Sequence, residues 1–249
     1  MNINAKPAVQ VSGLEKSFGS TKAVDGLDFS VYEGEIFSLL GVNGAGKTTA
    51  VRIMSGLIKA DAGTAELFGY RAGTREAAEI IGVSPQESST APNLTVYENL
   101  MLIGKLYGRE NPKERAEEMM RYFDLGDHRV KKSKHLSGGL RRRLSIAMAV
   151  ITEPKVLFLD EPTLGLDVIS RRELHLLIRS LAEKKNLTVL MTTHYMDEAE
   201  KLSDRIGIMK YGRMCAIGTA DELRKEAGLA EGTAFEEVFV KHCGKEDAK

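Results

Sequence analysis

The run Gly41-Val42-Asn43-Gly44-Ala45-Gly46-Lys47-Thr48 limits what this chain can fold into more than any other stretch of it. It fits the pattern G-x-x-x-x-G-K-[ST] and follows a compact apolar run, Glu35–Leu40, that reads as a buried parallel strand. A helix is expected next, from about Lys47 to Leu57. The glycines let the main chain curl with its N–H groups inward, and the helix amino terminus adds partial positive charge where phosphates sit. Lys47 supplies a full charge to the outer phosphates, and Thr48 offers a hydroxyl to Mg²⁺. In isolation, a glycine-rich turn that merely joins strand to helix has the same look.

A second apolar run, Lys155-Val156-Leu157-Phe158-Leu159-Asp160-Glu161, delivers two carboxylates at its carboxyl end. Ligands of open α/β sheets bind at that edge. Asp160 suits the Mg²⁺ shell, and Glu161 suits the general base that polarises an attacking water. A plain strand end carries acidic residues too; the phosphate loop upstream is what gives this one its chemical reading. Pro162-Thr163 then stops the strand.

The rest of the chain organises around these runs. Val9–Leu14, Val24–Asp28 and Phe29–Tyr32 read as antiparallel strands. From Thr95 to Ile151 the apolar period turns helical: Leu94, Val96, Leu100, Ile103 and Tyr107 suit one helix face, and Ala116, Met119, Met120 and Phe123 another. Strand signals return at Val156–Asp160, Thr188–Thr192 and Arg205–Lys210, with a helix over Ser170–Lys184. Alternating strands and helices imply a parallel sheet with right-handed crossovers. The expected organisation is a core over about 1–92 and 152–222, a helical lobe inserted at 93–151, and a short helical tail at 223–249 that frays from Gly244.

Composition narrows the partners. Thirty-five basic residues balance 35 acidic ones, so no broad field attracts nucleic acid or an anionic lipid surface, and no nucleic-acid partner is expected. Cys215 and Cys243 fit no metal spacing or disulfide framework and read as free thiols. Met1–Gln10 lacks a signal-peptide apolar stretch, and no run reaches the ~18 apolar residues of a membrane helix. The expectation is a cytoplasmic chain whose membrane role, if any, comes through a partner.

Many nucleotide hydrolases share the first two motifs. Leu136-Ser137-Gly138-Gly139, set before a basic amphipathic helix and shortly before the acidic strand, narrows the choice. From about Val9 to Gly218 the sequence resembles the ATP-binding subunits of ABC transporters. The resemblance implies an α/β fold with a P-loop NTPase (RecA-like) core, an antiparallel β subdomain and an inserted α-helical subdomain. It implies ATP and Mg²⁺ as ligands, with Gly41, Asn43, Gly44, Ala45, Gly46, Lys47, Thr48 and Thr49 around the phosphates. Thr48, Gln86 and Asp160 then serve the metal, and Lys47, Gln86, Glu161 and His194 serve catalysis.

In that family the Ser-Gly-Gly element, here Ser137, Gly138 and Gly139, reaches across a dimer to the outer phosphate held by the other subunit. Asp167, after Gly165-Leu166, resembles the residue that meets the opposite subunit near the catalytic water. His194 is similar to the histidine that senses the outer phosphate, and Gln86 to the glutamine linking core and lobe. The other histidines read as structural. Two departures stand out: Leu140 replaces the commonest glutamine, and Phe18, with Val24 packing nearby, takes the place of the base-stacking tyrosine.

The implied partners are a second copy of the chain (or a related ATPase subunit) around two sandwiched ATP molecules, and an integral membrane permease. The implied location is the inner face of the cell membrane, with the loop around Gln86–Asn93 receiving the permease. Thr193–Glu200, Leu94–Leu100 and Glu236–Phe239 look most like exporters of the ABC-2 type. A non-transport ABC ATPase acting on ribosomes or DNA is the alternative; a small-molecule kinase leaves Ser137–Gly139 and His194 unexplained.

Overall fold

The computed structural model describes residues 6–87, 89–108 and 110–244. The tail expected to fray therefore lies, apart from Gly244, outside the described residues, as does Ser88 of the loop after Gln86. A long hairpin opens the chain, β1 (Pro7–Phe18) and β2 (Thr21–Tyr32), followed by β3 (Ile36–Leu40) and α1 (Lys47–Met54). Next come β4 (Ala62–Leu67), β5 (Tyr70–Arg71), α2 (Arg75–Glu79) and β6 (Ile81–Ser84). A helical stretch holds α3 (Val96–Leu106), α4 (Pro112–Tyr122) and α5 (Gly138–Val150). β7 (Val156–Asp160), α6 (Val168–Lys185), β8 (Thr188–Thr193), α7 (Met196–Leu202) and β9 (Arg205–Lys210) complete the α/β alternation. β10 (Arg213–Gly218), α8 (Ala220–Glu226) and α9 (Phe235–Cys243) follow.

Two sheets result. One is antiparallel, in the order β2-β1-β4-β5; the other runs β10-β9-β3-β8-β7-β6. In the second, β9, β3, β8, β7 and β6 are parallel, and β10 returns antiparallel at the edge. Val24–Asp28 and Phe29–Tyr32, expected as separate runs, form one strand. Gly26 takes φ +64° where the pairing with β1 shifts register, so the apparent break is a bulge and not a turn. The helix after the phosphate loop stops at Met54, short of the expected Leu57, because Gly56 turns left-handed at φ +76°. β4 to β6 and β10 carried too weak an apolar alternation to be read as strands in advance.

Every residue of β3, β7 and β8 is buried, so both faces of the sheet are covered. Strand alternation then sorts the side chains. Leu157 and Leu159 join Leu100, Met119, Met120 and Phe123 of the helical stretch, whereas Val156 and Phe158 join α1 and the antiparallel sheet. Thr95 and Glu98 form a capping box that starts α3. No helix among the described residues is long and apolar enough to cross a membrane.

The helical stretch meets the sheet edge closely at β6. A Cβ on Gly82 would lie 2.3 Å from the Ala149 carbonyl oxygen and 3.0 Å from Pro154 Cγ. Gly82→Ala must therefore push α5 off β6, at about 1–3 kcal/mol for overpacking. Thermal unfolding is expected to show Tm lowered by roughly 2–10 °C for a chain of this size. An unchanged Tm would mean that α5 yields at no cost.

Candidate nucleotide site

Parallel register brings the chemistry to one edge. Leu40 pairs with Thr193 and Asp160 with Thr192, so β3, β8 and β7 end together. The loop after β3 curls over that edge into α1. Gly46, the residue before the helix, sits at φ +99°, and a Cβ there would lie 2.1 Å from the Ala23 carbonyl oxygen; only glycine is tolerated. No side chain caps α1, which leaves the N–H groups of its first turn free for an acceptor. The cleft above has a volume of about 480 Å³, within the usual range for a small-molecule site. Asn43 to Thr49 line it, facing Ala23, Gln86, Glu161, Leu164 and His194.

The cleft floor is a compact set of charges. Lys47 is only 5% exposed and donates to the carbonyls of Gly41 (2.7 Å) and Val42 (3.3 Å). Its ammonium lies 3.3 Å from Glu161 Oε1. Glu161, 6% exposed, holds its other oxygen 2.8 Å from His194 Nδ1. Nδ1 donates there when it carries a proton, since a carboxylate oxygen accepts. Glu161 also stands at φ +46°, a left-handed position that a non-glycine residue keeps only when its surroundings hold it.

Asp160 is fixed from two sides. Its Oδ1 accepts from Thr48 Oγ1 at 3.0 Å and from Thr192 Oγ1 at 2.6 Å. The same Thr192 oxygen accepts from the Glu161 main-chain N–H at 2.9 Å. One hydroxyl thus orders both carboxylates. Carboxylate and hydroxyl oxygens in such a set suit a hard cation such as Mg²⁺.

The remaining expected residues are not all in this cleft. Ser137 caps α5, its hydroxyl accepting from the Leu140 N–H at 3.3 Å. Gly138 lines a neighbouring hollow with Gln86, Arg141, Glu161 and Leu166. Asp167 caps α6, accepting from the N–H groups of Ile169 and Ser170 and from the Ser170 hydroxyl. Those bonds, the Ser170 N–H first, hold its carboxyl below the ordinary range. Phe18 is 54% exposed, with the Lys16 ammonium 5.7 Å from its ring centroid.

Val24 is a correction: it is fully buried in the apolar cluster of β1, β2 and α1, so its side chain cannot touch a ligand. Its neighbour Ala23 lines the cleft instead, because alternation along β2 turns Val24 inward. Thr192 and Leu164 went unread. No pattern in the sequence marks Thr192; its burial and its place beside β7 come from the fold.

The ABC transporter family profile matches residues 24–164. The daunorubicin resistance ATP-binding protein DrrA3 of Streptomyces coeruleorubidus is 46% identical over 90% of this chain and 72% of its own length. The linearmycin resistance ATP-binding protein LnrL of Bacillus subtilis (strain 168) is 42% identical over 88% of this chain and 72% of its own. Among solved structures, an ATP-binding subunit of an ABC transporter superposes with a TM-score of 0.83 at 29% identity, covering 94% of this chain and 99% of that one. A dimeric ATP-binding cassette in a post-hydrolysis state, bound to ADP and Pi, gives 0.77 at 27% identity, covering 85% and 98%.

Thr192→Val keeps the side-chain shape and removes the shared hydroxyl, orphaning the Glu161 N–H in a buried setting at about 1–3 kcal/mol. Tm is expected to fall by roughly 2–10 °C, with Thr192→Ser close to wild type. Equal melting of Val and Ser variants would show that the shared hydroxyl contributes nothing.

Proposed function

This chain belongs to the ABC transporter family, and on that premise we propose that it is the ATP-hydrolysing subunit that drives export through a separate membrane permease. Its relatives carry drug-resistance names and export names, among them a Nod factor export ATP-binding protein of Ralstonia nicotianae. The observation that carries the catalytic reading is Glu161, a buried carboxylate between Lys47 and His194 at the floor of the phosphate cleft.

ATP lies with its outer phosphates against Lys47 and the N–H groups of Gly44 to Thr49, and its base against the exposed ring of Phe18. Thr48, Asp160 and Gln86 would hold Mg²⁺, which would supply positive charge to the phosphate oxygens. A water oxygen attacks the terminal phosphorus while the bond to the bridging oxygen breaks; ADP leaves with that electron pair and Glu161 takes the water's proton. His194 keeps the carboxylate aimed through Nδ1, and in its doubly protonated form the ring donates its far N–H to a terminal phosphate oxygen.

Each chain carries one phosphate loop and, on a different element, one Ser137-Gly138-Gly139 turn. Two copies arranged about a two-fold axis complete both sites, each lending its turn and the Asp167 loop to the other's ATP. Loss of the bridging phosphate opens the pair. The exposed segment around Gln86 passes that motion to the permease at the inner membrane face.

Glu161→Gln is expected to retain ATP binding, lower turnover at least ~100-fold and accumulate an ATP-bound dimer in light scattering. Wild-type turnover in that variant sinks the base assignment. Lys47→Ala is expected to lose nucleotide affinity instead. Tagged Glu161→Gln, extracted gently from its native cells with ATP, should bring down a polytopic membrane protein in about equal amount. Recovery of ribosomes or nucleic acid alone would overturn the export role and leave the hydrolase standing.

A further inference from the structure

The basic run Arg141-Arg142-Arg143 follows the Ser137-Gly138-Gly139 turn, and its members part ways. Arg143 pairs at the surface with Glu173. Arg142 points inward and is 9% exposed. Its guanidinium ends on main-chain carbonyls: Nε donates to Pro162 (2.8 Å), Nη1 to Pro85 (2.5 Å) and Nη2 to Asp160 (2.5 Å). Burial lowers its pKa to about 10, which leaves it charged at neutral pH. The charge is favoured by the nearby Asp160, Glu198 and Glu161 carboxylates, but every direct bond the guanidinium makes is to a main-chain carbonyl, so its contacts hold backbone in place.

The three acceptors are informative. Two of them flank Glu161. The peptide joining Asp160 to Glu161 is gripped at both ends, its carbonyl by Arg142 and its N–H by Thr192. That grip fixes the plane from which Glu161 departs at φ +46°. The third acceptor is the carbonyl of the peptide that leads into Gln86. One helical turn further along α5, Ser145 lies 2.9 Å from Ser84 and 3.1 Å from Ser89, oxygen to oxygen, so α5 holds the Gln86 loop on both sides. A planar fork with fixed donor directions can hold all three at once; a point charge can hold only some of them.

We propose that Arg142 is a positioning residue for hydrolysis, which makes the seating of α5, and with it of the Ser137-Gly138-Gly139 turn, a condition for Glu161 and Gln86 to stand correctly over the phosphates. The role rests on Glu161 being the general base. A turn displaced from its partner's ATP moves α5, loosens the peptide before Glu161, and slows hydrolysis without loosening ATP. Premature hydrolysis outside a closed pair is thereby suppressed.

Arg142→Met and Arg142→Lys, each with and without Glu161→Gln, test this by single-turnover hydrolysis and by binding of a fluorescent ATP analogue. With Glu161 present, Arg142→Met is expected to lower turnover at least ~10-fold, since a carboxylate misplaced by about 1 Å loses up to ~100-fold. Affinity for the analogue should stay within ~3-fold, the pattern of an interaction made only on the way to the transition state. Arg142→Lys should recover part of the loss. In the Glu161→Gln background the same substitutions should change the residual rate by less than ~2-fold, there being no base left to position.

Equal losses in both backgrounds, or a loss that follows affinity, overturn the role. So does full turnover in Arg142→Met. If the Met variant fails to fold, as judged by circular dichroism, the Lys variant decides on the same criteria. Wild-type turnover in Glu161→Gln alone would remove the base assignment and this role with it; an inactive Glu161→Gln with additive Arg142 effects would remove this role only.

Discussion

A parallel sheet buried on both faces leaves its strands one outlet for polar chemistry, their ends, and the whole site follows from that constraint. β3, β7 and β8 are buried along their length because helices or a second sheet cover each side. Where the strands stop in register, the loop after β3, the carboxylates after β7 and the imidazole after β8 meet within hydrogen-bonding distance. Thr192 lies between the other two strands and serves both Asp160 and Glu161, so a single hydroxyl converts strand register into carboxylate geometry.

Burial also sets the electrostatic character of the floor. Lys47 and Glu161 are nearly inaccessible and face each other across 3.3 Å, where their attraction is far less screened than at the surface. Neither is a passive ion pair. The lysine is shared with two carbonyls and the glutamate with an imidazole, so each has a second partner when a phosphate or a water competes for it. Phosphoryl transfer asks mainly for placed charge, and the site consists mainly of that.

The helical stretch is not an appendage. Its apolar residues form one cluster with one face of β7 and β8, and Arg142 adds a polar tie to the carbonyls of Pro85, Asp160 and Pro162. Arg142 thereby ties the helix that carries the Ser137-Gly138-Gly139 turn to the peptide before Glu161.

The phosphate loop and the acidic strand end were legible in the sequence because each is a local pattern whose backbone conformation its own residues dictate, whereas the readings of His194 and the Ser-Gly-Gly turn rested on the family resemblance. Glycines at forced angles, an apolar run of strand length and a proline stop need no distant partner to be recognised. The order of strands, the inward turn of Val24 that hands the cleft to Ala23, and the bulge at Gly26 were decided by tertiary structure, since they depend on which face another element covers. Thr192 and Arg142 belong with them. A threonine in a strand and the middle arginine of three are unremarkable in one dimension. They acquire their roles because folding brings β8 between β3 and β7 and lays α5 across the ends of β6 and β7, contacts between residues far apart in the chain.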